Sequence, residues 1–103
     1  MTTIDNASIS KKANIYFDGK CVSHSVLLAD GSKQSVGVIF PSSLTFNTGA
    51  AEVMEIVGGA CRVKLAGADA WNSYGAGQQF SVPANSAFDI ETSETLEYVC
   101  RFG

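Results

Sequence analysis

The chain has 103 residues, 46% of them hydrophobic and 17% charged, with a formal net charge of −3. These values suit one domain with one core and exclude a disordered chain. Its seven Lys and Arg residues, scattered apart from Lys11-Lys12, are too few to neutralise a polynucleotide or to hold an anionic membrane, so neither is expected as a partner.

Residues 1–12 are polar and lack the apolar run of a signal peptide, and no stretch approaches the ~18 consecutive apolar residues of a membrane span. A cytoplasmic protein is expected. The division reads as a polar N-terminal arm over 1–12, mobile or adding a strand in a dimer, and one folded domain over 13–103. Short β-prone runs then follow, separated by turn residues. Residues 13–17 end at Asp18-Gly19, 21–28 at Asp30-Gly31, and 35–40 at Pro41; 44–46 is brief. Residues 52–57 alternate, with Glu52, Met54 and Ile56 on one face and Val53, Glu55 and Val57 on the other. Gly58-Gly59 leads into 60–65. Runs at 71–74, 80–82, 87–90 and 96–102 complete the series, with turns at Gly75-Ala76-Gly77 and Pro83. Turn signals every 8 to 12 residues or so, with no sustained helical period, predict an all-β domain. Cys21, Cys61 and Cys100 are far apart and odd in number, which suits reduced, buried thiols better than a disulfide frame or a metal site.

Two spacings are similar to those of cupins. Glu52, six residues and Gly59 match the end of the first cupin motif, and Gly77, five residues and Pro83 match the start of the second. The metal ligands of that fold are missing. The His-x-His positions hold Thr45 and Asn47, or Phe46 and Thr48, and Phe88 stands where the second motif has histidine. Asn85 replaces a motif glycine, a tolerable change because Asn reaches the left-handed region readily. The sole histidine, His24, lies outside both motifs and cannot alone build a three-ligand site. The resemblance implies a single-domain cupin-like β-barrel, a double-stranded β-helix or jelly roll, with no metal and no cofactor.

From Asn14 to the C-terminus the chain resembles the small pyrimidine/purine nucleoside phosphorylases of bacteria. The residues that carry this are Tyr16-Phe17-Asp18-Gly19-Lys20, Ser35-Val36-Gly37-Val38, Thr45-Phe46, Glu52-Val53-Met54-Glu55, Gly77 with Phe80-Ser81-Val82-Pro83, Phe88, and Tyr98-Val99-Cys100-Arg101-Phe102. Pro41-Ser42-Ser43 departs from the family's Pro-Gly-Glu corner. The resemblance implies phosphorolysis of purine and pyrimidine nucleosides, with inorganic phosphate as co-substrate, to free base and pentose 1-phosphate.

The parts such a reaction needs have candidates. Glu52 can stabilise the positive charge that develops on the sugar, or simply bond a backbone group at the barrel mouth. Glu55 is expected on the other face, in solvent. Arg101, with its two-pronged geometry, and Lys20 are candidates for phosphate; the competing reading pairs Arg101 with a surface carboxylate. Thr45 and Asn47 are neutral groups for sugar hydroxyls or phosphate. Phe46, Phe80, Phe88 and Tyr98 are aromatic candidates for the base, one or two of them in contact and the rest in the core. Two readings stay open, a phosphorolytic enzyme and a non-catalytic cupin that binds a small metabolite. A homodimer is expected, since a small barrel with exposed edge strands gains by pairing.

Overall fold

The structure of the protein, a computed structural model, describes residues 3–103. Eleven strands form among these residues: β1 (Ala7–Ile9), β2 (Asn14–Tyr16), β3 (Cys21–Leu28), β4 (Lys33–Ile39), β5 (Ser42–Asn47), β6 (Glu52–Gly58), β7 (Ala60–Leu65), β8 (Asn72–Gly75), β9 (Gln79–Val82), β10 (Ala87–Thr92) and β11 (Leu96–Phe102). The one helical element among them is a 3-10 turn at Phe17–Gly19, so the all-β expectation holds. No helix of the described residues is long and apolar enough to cross a membrane.

The strands make two antiparallel sheets. One has seven strands in the order β1-β3-β4-β11-β6-β9, with β2 also on β3; the other runs β5-β10-β7-β8. Alternation decides which side chains meet between them. On β6, Met54 and Ile56 are buried while Val57 is exposed; on β10, Phe88 and Ile90 are buried. One cluster joins Ile39, Ile56 and Leu96 of the larger sheet to Leu44, Val63 and Ile90 of the smaller. Truncating any of these to alanine would cost about 2–5 kcal/mol, less for a valine.

The glycine and proline positions fall at corners. Gly59 (φ +82°) and Gly77 (φ +88°) are left-handed, and Asn85, at φ +53°, occupies the same region in place of the motif glycine. Two features differ from the sequence reading. Part of the polar arm is a strand of the larger sheet, because β1 pairs with Val26, Leu27 and Leu28 of the same chain. The turn at Asp18-Gly19 begins one residue early, with Phe17 itself at φ +53°. A left-handed aromatic residue is strained; its ring packs edge-on against Phe46, centroids 5.2 Å apart.

Candidate active site

The inner face of the larger sheet is built in rows. Ser25, Ser35, Cys100 and Met54 lie side by side across β3, β4, β11 and β6, and Ser23, Gly37, Tyr98 and Ile56 form the next row. The pattern on β3 inverts the usual one. Its small polar residues face inward, while Val22 and His24 share the outer face. Gly37 is essential to the second row. A Cβ there would sit 2.9 Å from Tyr98 Oη and 2.6 Å from the Val22 carbonyl oxygen. Without it the Tyr98 ring leans across β4, and its hydroxyl lies 3.4 Å from Cys21 Sγ on β3.

These rows floor a cavity of about 350 Å³ between the sheets, within the ~300–1,000 Å³ of small-molecule sites. The smaller sheet supplies an aromatic wall. Phe46 and Phe88 stack with centroids 5.5 Å apart and planes 20° from parallel. Ser23, Ser25 and Ser35, with the Asn14 amide beside them, give the larger sheet a hydroxyl wall, and Asn47 and Glu52 also line the space. Among the described residues no Lys, Arg or His side chain lines this cavity.

Glu52 is half-buried, and Cys100 Sγ donates to its Oε1 at 3.3 Å. Burial raises the Glu52 pKa, and the Cys100 hydrogen bond opposes that shift. The Cys100 thiol is itself pushed up, first by burial and then by the Glu52 charge, so it stays protonated and able to donate. Burial likewise raises Cys21, takes Cys61 to about 11, and raises the Tyr98 phenol. All three cysteines are free and buried; none has the lowered pKa of a reactive thiolate.

Of the residues singled out from sequence, Glu52, Phe46, Asn47, Phe88 and Tyr98 share this cavity. Four others do not. Phe80 packs behind it in the core, 5.6 Å from Phe88 and 5.0 Å from Tyr74 between ring centroids. Thr45 points to the outer side of β5 and donates to Asp89 Oδ1 at 2.6 Å. Lys20 is exposed beside the Phe17–Gly19 turn, away from the cavity lining. Arg101 lies on the opposite face of β11 from Cys100 and Phe102. Its Nη1 donates to Glu55 Oε1 at 2.8 Å and its Nη2 to Gln79 Oε1 at 2.9 Å. Arg101, a phosphate candidate from sequence, therefore stands outside the cavity, since alternation puts an odd-numbered residue of β11 on the outer face; its pairing with Glu55 matches the competing reading of a surface ion pair. Glu55 is on the outer face as expected, though paired rather than merely solvated.

Asn14, Ser23 and Ser25 are not singled out from sequence as lining residues, and Ser35 and Cys100 enter only as parts of motifs. The Ser23-x-Ser25 spacing was the available signal. It loses to the neighbouring valines when apolar residues are assumed to face inward.

A sequence profile of the pyrimidine/purine nucleoside phosphorylases matches residues 11–102. The pyrimidine/purine nucleoside phosphorylase of Cupriavidus metallidurans is 67% identical over 103 residues, covering 100% of both chains. The chain belongs to the pyrimidine/purine nucleoside phosphorylase family. A crystal structure of a protein of unknown function from Acinetobacter sp. ADP1 is similar at a TM-score of 0.96, with 48% identity over 98% of each chain. A cupin superfamily protein from Desulfitobacterium hafniense superposes at a TM-score of 0.67 with 13% identity, covering 88% of this chain and 81% of that one. At that identity the likeness concerns the fold alone. In this phosphorylase-family chain, the described residues gather no group of three or more His, Cys, Asp or Glu side chains suited to a metal ion.

Proposed function

We propose that the chain is a nucleoside phosphorylase of broad base specificity, cleaving purine and pyrimidine nucleosides with inorganic phosphate to free base and pentose 1-phosphate. The observation that carries this reading is Glu52, a half-buried carboxylate in a cavity with one aromatic and one hydroxyl wall. Glycosidic cleavage develops positive charge on the sugar, and a carboxylate held there in advance stabilises it. Phe46 and Phe88 offer flat apolar contact that any nucleobase can use, and Asn47 and Tyr98 add polar groups beside it. Membership of the family and this constellation support the reading together. Arg101, Lys20 and Thr45 have no part in it, and Phe80 acts only through Phe88.

The two sheets are read as the halves of a cupin barrel, with 13–103 as the domain and 1–12 as a polar arm whose β1 joins the larger sheet, in a cytoplasmic protein. A homodimer fits the outer face of the larger sheet. Val36 and Val57 are 40% and 46% exposed there, and Arg101, Glu55 and Glu97 give the same face both signs of charge, as a two-fold interface requires. Val57→Lys should then yield monomer in sedimentation at micromolar concentration, where the parent chain is dimeric; a monomeric parent would refute the pairing.

The decisive assay incubates uridine and adenosine with and without phosphate and follows base release. Release that requires phosphate supports the reading. Saturable nucleoside binding without release would instead favour a non-catalytic binding module.

A further inference from the structure

Among the described residues no cationic side chain lines the cavity, yet phosphorolysis needs an anion within it. We infer that the hydroxyl wall, centred on Ser25 and Ser35, is the phosphate subsite, and that it recognises the anion with neutral donors alone. This rests on the phosphorolytic reading of the same cavity.

Three observations lead there. The first is the placement of the walls. Direct displacement at the anomeric carbon brings the nucleophile in on the face opposite the departing base. With the base on Phe46 and Phe88 of the smaller sheet, phosphate arrives from the larger one, where the serines lie.

The second is how the wall is wired. Asn14 Nδ2 donates to Ser25 Oγ at 3.2 Å and to Ser23 Oγ at 3.4 Å. An amide nitrogen only donates, so it occupies acceptor positions on the serines and leaves the Ser25 hydroxyl proton to point into the cavity. A sugar hydroxyl can be met by donor or acceptor, but the ionised oxygens of phosphate are met only by donors. Hydrogen bonds to an ionised oxygen are about twice as strong as neutral ones.

The third is distance. Ser35 on β4 and Glu52 on β6 are separated by β11, and Glu52 pairs with Phe102, two residues along from the Cys100 that pairs with Ser35; two strand spacings and two residue rises put the backbones about 11–12 Å apart. The anion therefore need not touch the carboxylate, and the sugar fits between. Ser25 is exposed at the mouth while Ser35 is buried, so the phosphate keeps water on one side and escapes full desolvation.

The step balances without another reactant. A phosphate oxygen forms the bond to the anomeric carbon as the carbon–nitrogen bond breaks. The electron pair of that bond leaves on the base nitrogen, and the proton of the monohydrogen phosphate ends on the base, directly or through solvent.

The test compares Ser25→Ala, Ser35→Ala and Asn14→Asp with the parent chain, all checked for folding by Tm. Each serine variant is expected to raise the phosphate KM about 10- to 150-fold, the usual worth of one hydrogen bond to a charged group, and to leave the nucleoside KM within about twofold. Asn14→Asp turns the wiring round and adds a negative charge, so it should raise the phosphate KM at least as much. Calorimetric titration with inorganic phosphate should show the same weakening independently of turnover. A phosphate KM and affinity unchanged in all three variants, or a nucleoside KM that rises while the phosphate KM stays, would overturn the inference. Loss of phosphate dependence in the parent chain would refute phosphorolysis instead, and the titration would still decide whether the serines bind phosphate.

Discussion

Replacing Glu52 with glutamine keeps the shape of the side chain and removes its charge. With Glu52 half-buried, an effective dielectric constant of about 20 applies, and a full unit charge about 4 Å away would gain about 4 kcal/mol. A transition state carrying half a charge or more gains about 2–4 kcal/mol. Turnover of Glu52→Gln is therefore expected to fall about 30- to 1,000-fold, the range seen when one preorganised electrostatic contact is lost. The nucleoside KM should change little, because the sugar carries that charge only as the bond breaks. Stability should move the other way. Burial raises the folded-state pKa of Glu52, so folding favours the protonated form. The stability this contributes is present below the unfolded-state pKa and is lost as pH rises through the folded-state value. At neutral pH the ionised side chain burdens the fold, and glutamine relieves it, so the Tm should hold or rise. Steady-state kinetics with both substrates varied, beside thermal melts at neutral pH, make the comparison. Near-normal turnover in a folded Glu52→Gln chain would refute the assignment and leave Glu52 as a structural residue.

The thiol of Cys100 lowers the pKa of Glu52 by donating to it. Turnover should decline as Glu52 protonates in acid, and Cys100→Ala should move that acid limb to higher pH, read from a pH–kcat profile. Gly37→Ala drives a Cβ to 2.6 Å from the Val22 carbonyl oxygen. The overpacking should cost about 1–3 kcal/mol, or about 4–24 °C in Tm, and displace Tyr98. Arg101→Ala should leave the phosphate KM within about twofold and cost at most about 1 kcal/mol, because its ion pair with Glu55 is partly exposed at 36% and 39%; a large rise in the phosphate KM would return Arg101 to the site. Base release should survive dialysis against a strong chelator, since Thr45, Asn47 and Phe88 stand where cupin histidines would be; loss of activity restored by a transition metal would refute this.

The fold was legible where local chemistry decides it. The parity of Glu52, Met54 and Ile56, the exit at Gly58-Gly59 and the left-handed position at Asn85 can all be read from residue type. The composition of the site was only half legible, because alternation assigns residues to two faces without saying which face is inside. Thr45, flanked by Leu44 and Phe46, could have been placed outside on that ground. Arg101 could not be placed without the register of β11 on β6, which sets Phe102 opposite Glu52 across a long stretch of chain. Asn47 has the parity of Thr45 yet reaches the cavity because β5 ends there. The serine wall was hidden by an inversion, polar inward and valine outward, that only a polar ligand site or a second covering surface would favour.

The first sixteen residues have a consequence for how far this chain can be trimmed. β1 pairs with Val26–Leu28 and β2 with Cys21–Ser23, and between them Ser10 N donates to Ser25 O at 2.9 Å. Together they form a split strand that covers one whole edge of β3, which has eight residues and carries Val22, Val26 and Leu28. Extensions ahead of residue 7 would leave this seam alone. Deletions that reach Ile9 would uncover the Val26–Leu28 end of that edge, and chains so shortened would be drawn into strand-to-strand self-association and loss from solution.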